Sequence, residues 1–181
     1  MGRTEDSFPF YQEALVISRE LFGAKHQTVA RCLHNMGVTC TFLCRYDEAE
    51  KYLEEALLLL SDIYGEKHEQ VAICLSNIGR VHMFCSRYDM ARDFLEQALN
   101  IRKMIGNQLR VGRSFHFLGE LSEKEGNVSV AVDYYKEAQD TFRRYEFPED
   151  HLYVKEAVEA LQGLGKIRSQ GCNASLSRKR K

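Results

Sequence analysis

A stretch of about 40 residues occurs twice in this chain, and that repetition restricts the fold more than any other feature of the sequence. Residues 25–65 align with residues 67–107 at an offset of 42, and 18 of the 41 aligned positions are identical. That is far more than unrelated sequences share by chance. A fixed period of this length is typical of solenoids, in which each unit packs against its neighbours and buries a continuous core.

The residue pattern inside each unit favours helices. Apolar residues recur at spacings of three and four, which places them on one side of a helix. The chain contains only two prolines and lacks the alternating Val-, Ile- and Thr-rich runs that indicate strands. We therefore predict an all-α fold, an α-solenoid of stacked antiparallel helical hairpins.

The register of the repeat divides the chain into six segments. They are a half-repeat with a single second-type helix (1–24), three full units (25–65, 66–107 and 108–147), a C-terminal capping helix (148–168) and a basic tail without periodicity, which we expect to be disordered (169–181). The half-repeat suggests either a piece of a longer array or an unusual N-terminal cap, and it leaves an open hairpin.

Glycines recur within the first helix of each unit, and we expect them where two helices cross. They are Gly37, Gly79, Gly119 and Gly165. A glycine inside a helix costs about 1 kcal/mol relative to alanine, so its recurrence needs a packing reason. In the turns we expect Gly23 to end the first helix, and Asp47 and Asp89 to cap the helices that follow them.

Composition narrows the functional class. The formal net charge of −1 gives no general attraction to nucleic acid or to anionic membranes, and no apolar run reaches the length of a membrane span. No nucleophile–base pair, phosphate loop or Cys/His ligand spacing stands out, so we expect no enzyme activity, no metal and no cofactor. The six cysteines are expected to be small buried apolar side chains in a reducing compartment, which predicts a cytoplasmic protein.

The chain ends in a short basic run, Arg178, Lys179, Arg180 and Lys181. This run fits either a nuclear-import signal or a solubilising tail.

At its packing positions the chain resembles the tetratricopeptide repeat. The first helices carry two large residues followed by glycine: Leu33, Met36 and Gly37; Leu75, Ile78 and Gly79; Phe115, Leu118 and Gly119. The second helices carry a large residue between two alanines: Ala49, Leu53 and Ala56; Ala91, Leu95 and Ala98; Ala131, Tyr135 and Ala138. The resemblance covers about residues 8–168.

The 42-residue period is similar to that of kinesin light chain and nephrocystin-3-type units. The stretches FGAKHQTVARCLHNMG and YGEKHEQVAICLSNIG carry this likeness. Three features differ from the pattern. Gln27 and Glu69 stand where proline commonly follows the histidine, leucine replaces the aromatic residue at Leu33 and Leu75, and the proline that ends the second helix is missing. The third unit looks more like the repeats of G-protein-signalling modulators.

The resemblance implies a right-handed superhelix whose first helices line a concave groove. The candidate peptide-binding residues on that face are Arg31, His34, Asn35, Val38, Ile73, Asn77, Arg80, Arg113, His116 and Phe117. Thr41, Ser76, Met83, Glu120 and Glu123 share the same face.

Two kinds of side chain are the sharpest candidates on this face. Asn35 and Asn77 could each donate to and accept from a peptide backbone, or each could tie a helix pair together. The arginines could bind carboxylates of an acidic or C-terminal peptide, or pair internally with Glu120 or Glu123.

We therefore predict a non-enzymatic scaffold or adaptor that binds a peptide segment or partner protein in its groove. The alternative is a structural or self-associating arm of a larger assembly, joined through the open N-terminal half-repeat. Neither function requires nucleic acid or a membrane.

Overall fold

The structure, a computed structural model, describes residues 7–164, and every regular element in that range is a helix. The helices are α1 (Ser7–Phe22), α2 (Gln27–Phe42), α3 (Tyr46–Tyr64), α4 (Glu69–Phe84), α5 (Tyr88–Ile105), α6 (Gln108–Lys124) and α7 (Val128–Arg144). An eighth, α8, comprises residues 152–164. The predicted all-α class is confirmed. The fourth recurring glycine, Gly165, and the tail at 169–181 lie outside the described residues.

Short turns join the helices into hairpins. The closest pairs are α2 with α3, α4 with α5, and α6 with α7, as the repeat register predicts. The described part of the chain divides into two compact units, residues 7–106 and 107–164. In the first, α1 packs on α2, and α3 packs on α4, around a continuous apolar core. In the second, α8 adds Val154, Ala157 and Leu164 to the core residues of α7.

The recurring glycines lie at helix crossings, as predicted. A Cβ atom on Gly37 would stand 2.5 Å from Leu53 Cγ, and one on Gly79 would stand 2.9 Å from Leu95 Cγ. On Gly119 it would stand 2.6 Å from Tyr135 Cε1. Carbon atoms that are not bonded pack at about 3.5–4.0 Å, so these positions accept no side chain without displacement of the facing residue.

Histidines begin the first helices of both full repeats in residues 7–106. The Nδ1 atom of His26 accepts a hydrogen bond from the Thr28 backbone N–H at 3.2 Å, and His68 does the same for Gln70. The His68 ring also stacks on Tyr64, with 4.4 Å between ring centroids. Each histidine therefore satisfies a free N–H of its helix and fixes the loop between repeats.

The turns between α2 and α3 and between α4 and α5 differ from the prediction. Arg45 and Arg87 occupy the cap positions of α3 and α5, and neither side chain caps its helix. The expectation that Asp47 and Asp89 would cap is wrong, because the helices begin one residue before them. Their carboxylates lie in the first turn, where the positive end of the helix dipole still favours them.

Two further local predictions have different outcomes. Gly23 ends α1 as predicted, with φ at +81° and its N–H bonded to the Arg19 carbonyl oxygen at 3.0 Å. The expectation of buried cysteines holds for Cys32, Cys40 and Cys74, whereas Cys85 is half-buried and Cys44 is exposed because it lies in the turn after α2.

Candidate peptide-binding surface

The shared face of α2 and α4 carries a row of polar side chains that joins the two repeats. The amide nitrogen of Asn77 donates to Nε2 of His34 over 2.8 Å. On the other side of the same ring, Nδ1 of His34 lies 3.5 Å from the side-chain oxygen of Asn35. The three residues, hereafter the amide row, include both asparagines singled out from the sequence, and Asn77 does tie two helices together.

Hydrogen bonding fixes the protonation of the histidine in this row. Because Nε2 of His34 accepts from Asn77, the ring proton lies on Nδ1 and points toward the acceptor oxygen of Asn35. Burial lowers the pKa of His34, and the contact with Asn35 opposes this effect in part. At neutral pH the row is therefore uncharged, and Asn77 keeps one N–H and its carbonyl oxygen for another partner.

A cavity of about 230 Å³ lies beside the amide row. It is lined by Val38, Thr41, Phe42, Cys44, Tyr46, Asn77, Arg80 and Phe84. The rings of Tyr46 and Phe84 are stacked at 5.9 Å, and the guanidinium of Arg80 lies 5.9 Å from the Phe84 ring centre. The cavity thus combines apolar walls with one amide and one guanidinium.

Sequence reasoning missed the aromatic wall of this cavity. Phe42 and Phe84 are the final residues of α2 and α4, and they occupy the same position in both copies of the repeat. Both rings are exposed. The available signal was the identical phenylalanine at the end of the first helix in the two closely similar repeats.

The remaining candidates of residues 7–106 differ in their surroundings. Arg31 is exposed and makes no hydrogen bond or ion pair with residues 7–164, whereas Ile73 is half-buried. Ser76 is buried, and its hydroxyl accepts a hydrogen bond from Nη1 of Arg102 at 2.9 Å. Arg102, which is 2% exposed, also donates to the Ala72 carbonyl oxygen. Ser76 therefore holds a buried arginine in place.

The candidates of the third repeat are engaged within residues 107–164. The guanidinium of Arg113 pairs with Glu156 of α8 at 2.8 Å and lies over two rings, 3.9 Å from Tyr153 and 4.8 Å from Phe117. Phe117 is 6% exposed, and His116 is buried with Nε2 3.5 Å from Glu120. The internal partner of Arg113 is thus Glu156, and not Glu120 or Glu123 as the sequence suggested.

Residues 7–164 lack the features of two other kinds of site, a membrane span and a metal site. None of the helices in residues 7–164 combines the length and the apolar character needed to cross a membrane. Within the same range, no three His, Cys, Asp or Glu side chains are grouped so that they could hold a metal ion.

Solved structures of other proteins share this helical architecture. BtubC (BKLC) from P. vanneervenii is 25% identical with a TM-score of 0.72, and the alignment covers 83% of this chain. This chain spans 61% of the BtubC chain. A structure of kinesin-light-chain TPR-like repeats from Podosopora anserina is 15% identical with a TM-score of 0.73, covering 96% of this chain and 83% of that one. The N-terminal domain of stress-induced protein-1 from C. elegans is 16% identical with a TM-score of 0.54, covering 74% and 95% of the two chains.

Sequence comparison gives the same assignment. A search of curated protein sequences finds no match. The family model of the tetratricopeptide repeat matches residues 1–57, 33–104 and 76–144. These matches span most of the chain, and the solved neighbours confirm the α-solenoid class and the likeness to kinesin-light-chain repeats. The chain belongs to the tetratricopeptide-repeat family.

Proposed function

We propose that this chain is a non-enzymatic adaptor that binds an extended segment of a partner protein on the shared face of α2 and α4. Tetratricopeptide repeats serve in general as protein-interaction scaffolds, and the family match covers this face. The amide row, with Asn77 oriented by His34 at 2.8 Å beside the cavity, is the observation that carries the proposal.

The chemistry of the amide row suits a peptide backbone. An extended peptide presents alternating N–H and C=O groups, and a side-chain amide can bind both kinds. Because His34 already holds one N–H of Asn77, the amide plane is fixed and less rotamer freedom is lost on binding. A pre-oriented amide therefore binds a backbone at lower entropic cost than a freely rotating one.

The cavity and the nearby cations suggest the side chains of the bound segment. A volume of about 230 Å³ with aromatic and aliphatic walls accepts one apolar side chain. Val38 and Ile73, both half-buried, extend the apolar surface. Arg31, which is exposed on the same face, favours a carboxylate near that apolar residue, because a guanidinium pairs with a carboxylate through two parallel hydrogen bonds.

The three candidates of the third repeat are not part of this proposed site. Arg113 pairs with Glu156 of α8, His116 packs against Tyr135 of α7, and Phe117 is buried beside the Arg113 guanidinium. A ligand would have to break the Arg113–Glu156 pair to reach the Arg113 guanidinium. The proposed site is therefore confined to residues 7–106.

The experiment is a selection of peptides from a phage-displayed random library, followed by titration of the selected peptides. We expect an apolar residue flanked by acidic residues, and an affinity about tenfold weaker for the Asn35→Ala, Asn77→Ala double variant. Asn100→Ala is the matched control, because Asn100 is an exposed asparagine on α5. Equal binding to the double variant and to the unmodified chain would contradict the proposal, as would failure to select any peptide.

The location of the protein in the cell is also a proposal. A cytoplasmic adaptor is consistent with the cysteine content, and the basic run at 178–181 adds nuclear import as a second location. Imaging a fluorescent fusion with and without glutamine at these four positions tests this. A nuclear signal that disappears in the glutamine variant supports import, and an unchanged distribution favours a solubilising role.

The alternative function, a self-associating arm, has one observation in its favour. The half-repeat helix α1 exposes Phe10, Ile17 and Leu21. Sedimentation equilibrium at high protein concentration tests it, since a monomer under those conditions contradicts self-association.

A further inference from the structure

The half-repeat helix α1 has two apolar sides, and only one of them is covered. Phe8, Leu15 and Ser18 are buried on the side that faces the core. On another side, Phe10 is 69% exposed, Ile17 46% and Leu21 69%, with half-buried Ala14 between them. The spacing of four, three and four residues aligns these four side chains in one stripe, hereafter the α1 stripe, as in the seam of a coiled coil.

The following repeat shows how such a stripe is normally covered. Adding 42 to each number gives Tyr52, Ala56, Leu59 and Ile63 of α3. Ala56 is fully buried, Tyr52 and Leu59 pack against the core, and the Tyr52 ring lies 6.2 Å from that of Phe8. In α3, α1 and α2 therefore cover Tyr52, Ala56 and Leu59, and only Ile63, at the end of the helix, is 36% exposed. Residues 7–164 contain no helix that covers the same face of α1.

Charge along the edge of the stripe indicates what kind of helix fits. Glu13 and Glu20, seven residues apart, lie on one edge of the α1 stripe and are exposed. Neither makes an ion pair or hydrogen bond with residues 7–164. Arg19, in contrast, is held by Glu55 at 2.6 Å and lies away from this edge. The edge of the stripe thus carries uncompensated negative charge.

We propose that the α1 stripe binds an amphipathic helix of another protein, one with apolar residues at alternating spacings of three and four and lysine or arginine along one edge. The partner helix takes the place that α1 and α2 take against α3. Its basic edge pairs with Glu13 and Glu20, since flanking charges choose the partner of a helical seam. This interface is separate from the amide row and does not depend on the peptide-binding proposal.

A second copy of this chain fits the α1 stripe less well. In an antiparallel pair of α1 helices the two acidic edges face each other, and like charges at that distance repel. In a parallel pair each acidic edge meets the edge that carries Tyr11 and Ser18, where no cation is available. The charge pattern therefore favours a basic helix over self-association.

The test uses two synthetic helices as probes. Both are fluorescein-labelled 21-residue peptides with leucine at alternating spacings of three and four, and they differ only in carrying lysine or glutamate along the edges. Anisotropy titration of the full chain should give an affinity for the lysine peptide about tenfold or more above that for the glutamate peptide. Added salt should reduce this preference.

Three variants decide where the probe binds. Phe10→Ala with Leu21→Ala should abolish binding of the lysine peptide, and Val16→Ala, an exposed apolar residue outside the stripe, should leave it unchanged. Glu13→Lys with Glu20→Lys should reverse the preference in favour of the glutamate peptide. Retained binding in the first variant or an unreversed preference in the last would overturn the proposal.

The other occupants are outcomes of the same experiment. A stable dimer that is lost in the Phe10→Ala, Leu21→Ala variant would assign the stripe to a second copy. Binding of the lysine peptide only after Arg178, Lys179, Arg180 and Lys181 are changed to glutamine would assign it to the chain's own tail. Either result overturns the proposal, and so does the absence of binding to either peptide.

Discussion

Substituting Gly37 by alanine tests the packing argument most directly. In an isolated helix this change would stabilise the protein, because alanine is favoured over glycine by about 1 kcal/mol. In this structure the added Cβ would lie 2.5 Å from Leu53 Cγ and 3.1 Å from the Ala49 carbonyl oxygen. Two opposing contributions therefore decide the sign of the effect.

The contact with Leu53 is the larger contribution. Leu53 is fully buried, and the clash involves Cγ, which cannot move without the rest of the side chain. Relief requires a shift of roughly 1 Å to restore the usual carbon–carbon separation. Overpacking of this kind costs about 1–3 kcal/mol. After the helix-propensity gain we expect Gly37→Ala to lower the free energy of unfolding by up to about 2 kcal/mol.

Two comparisons separate the clash from other causes. In a Leu53→Ala background the neighbour that clashes is gone, so Gly37→Ala should be neutral or stabilising there. Gly163 is a helical glycine with no atom within 4 Å of its would-be Cβ, and Gly163→Ala should stabilise its helix by up to about 1 kcal/mol. Urea unfolding followed by circular dichroism measures the stability change in each variant. Hydrogen exchange resolved to α2 and α8 assigns the change to the substituted helix. A stabilising Gly37→Ala, or an equal loss in the Leu53→Ala background, would refute the reasoning.

Three other predictions concern titration, thiol reactivity and the third repeat. Burial lowers the pKa of both His34 and His82, and for His82 the charge of a nearby arginine adds to the effect. Below about pH 6.5 the unfolded chain therefore binds more protons than the folded chain. The free energy of unfolding should fall as pH drops from about 6.5 toward the lower pKa values of the folded state. His82→Leu should reduce that fall in urea titrations at pH 7 and pH 5. Burial raises the pKa of Cys74 to about 12, so with the tail cysteine replaced by serine, Ellman's reagent should modify exposed Cys44 well before Cys74. Arg113→Lys keeps the charge but loses the flat stack between two rings, and hydrogen exchange in α8 should become faster, by about fivefold for a loss of about 1 kcal/mol. Unchanged exchange there would contradict the stacking argument.

The sequence was sufficient to predict the helices and their pairing. The spacing of apolar residues is local information, and the 42-residue offset repeats it, so the crossing points at Gly37 and Gly79 follow directly. The turn between α2 and α3 was harder to predict from the sequence. The placement of Asp47 as a cap failed because the chain turns at Cys44, at φ +58°, and enters α3 with Arg45 as the cap, two residues earlier than a cap at Asp47 requires. Backbone conformation of that kind leaves little trace in residue type when the residue is not glycine.

The polar contacts of the candidate site could be predicted only in part. The sequence placed both asparagines of the amide row on one face, but the bond from Asn77 to His34 depends on the offset between two helices and on both rotamers. Arg113 and Glu156 are likewise 43 residues apart, and several acidic residues closer in sequence competed as partners. A single sequence specifies which groups share a face and leaves their pairing to the three-dimensional fit of the helices.

The bond between Asn77 and His34 also gives the two repeats a fixed order. His34 of the first unit corresponds to Ser76 of the second, while asparagine is present in both at the neighbouring position. If the two units exchanged places, a short serine hydroxyl would face the amide where the imidazole now reaches it over 2.8 Å. The repeats are therefore not interchangeable modules, and a shuffled or consensus version of this array would lose the oriented amide even if every packing residue were kept.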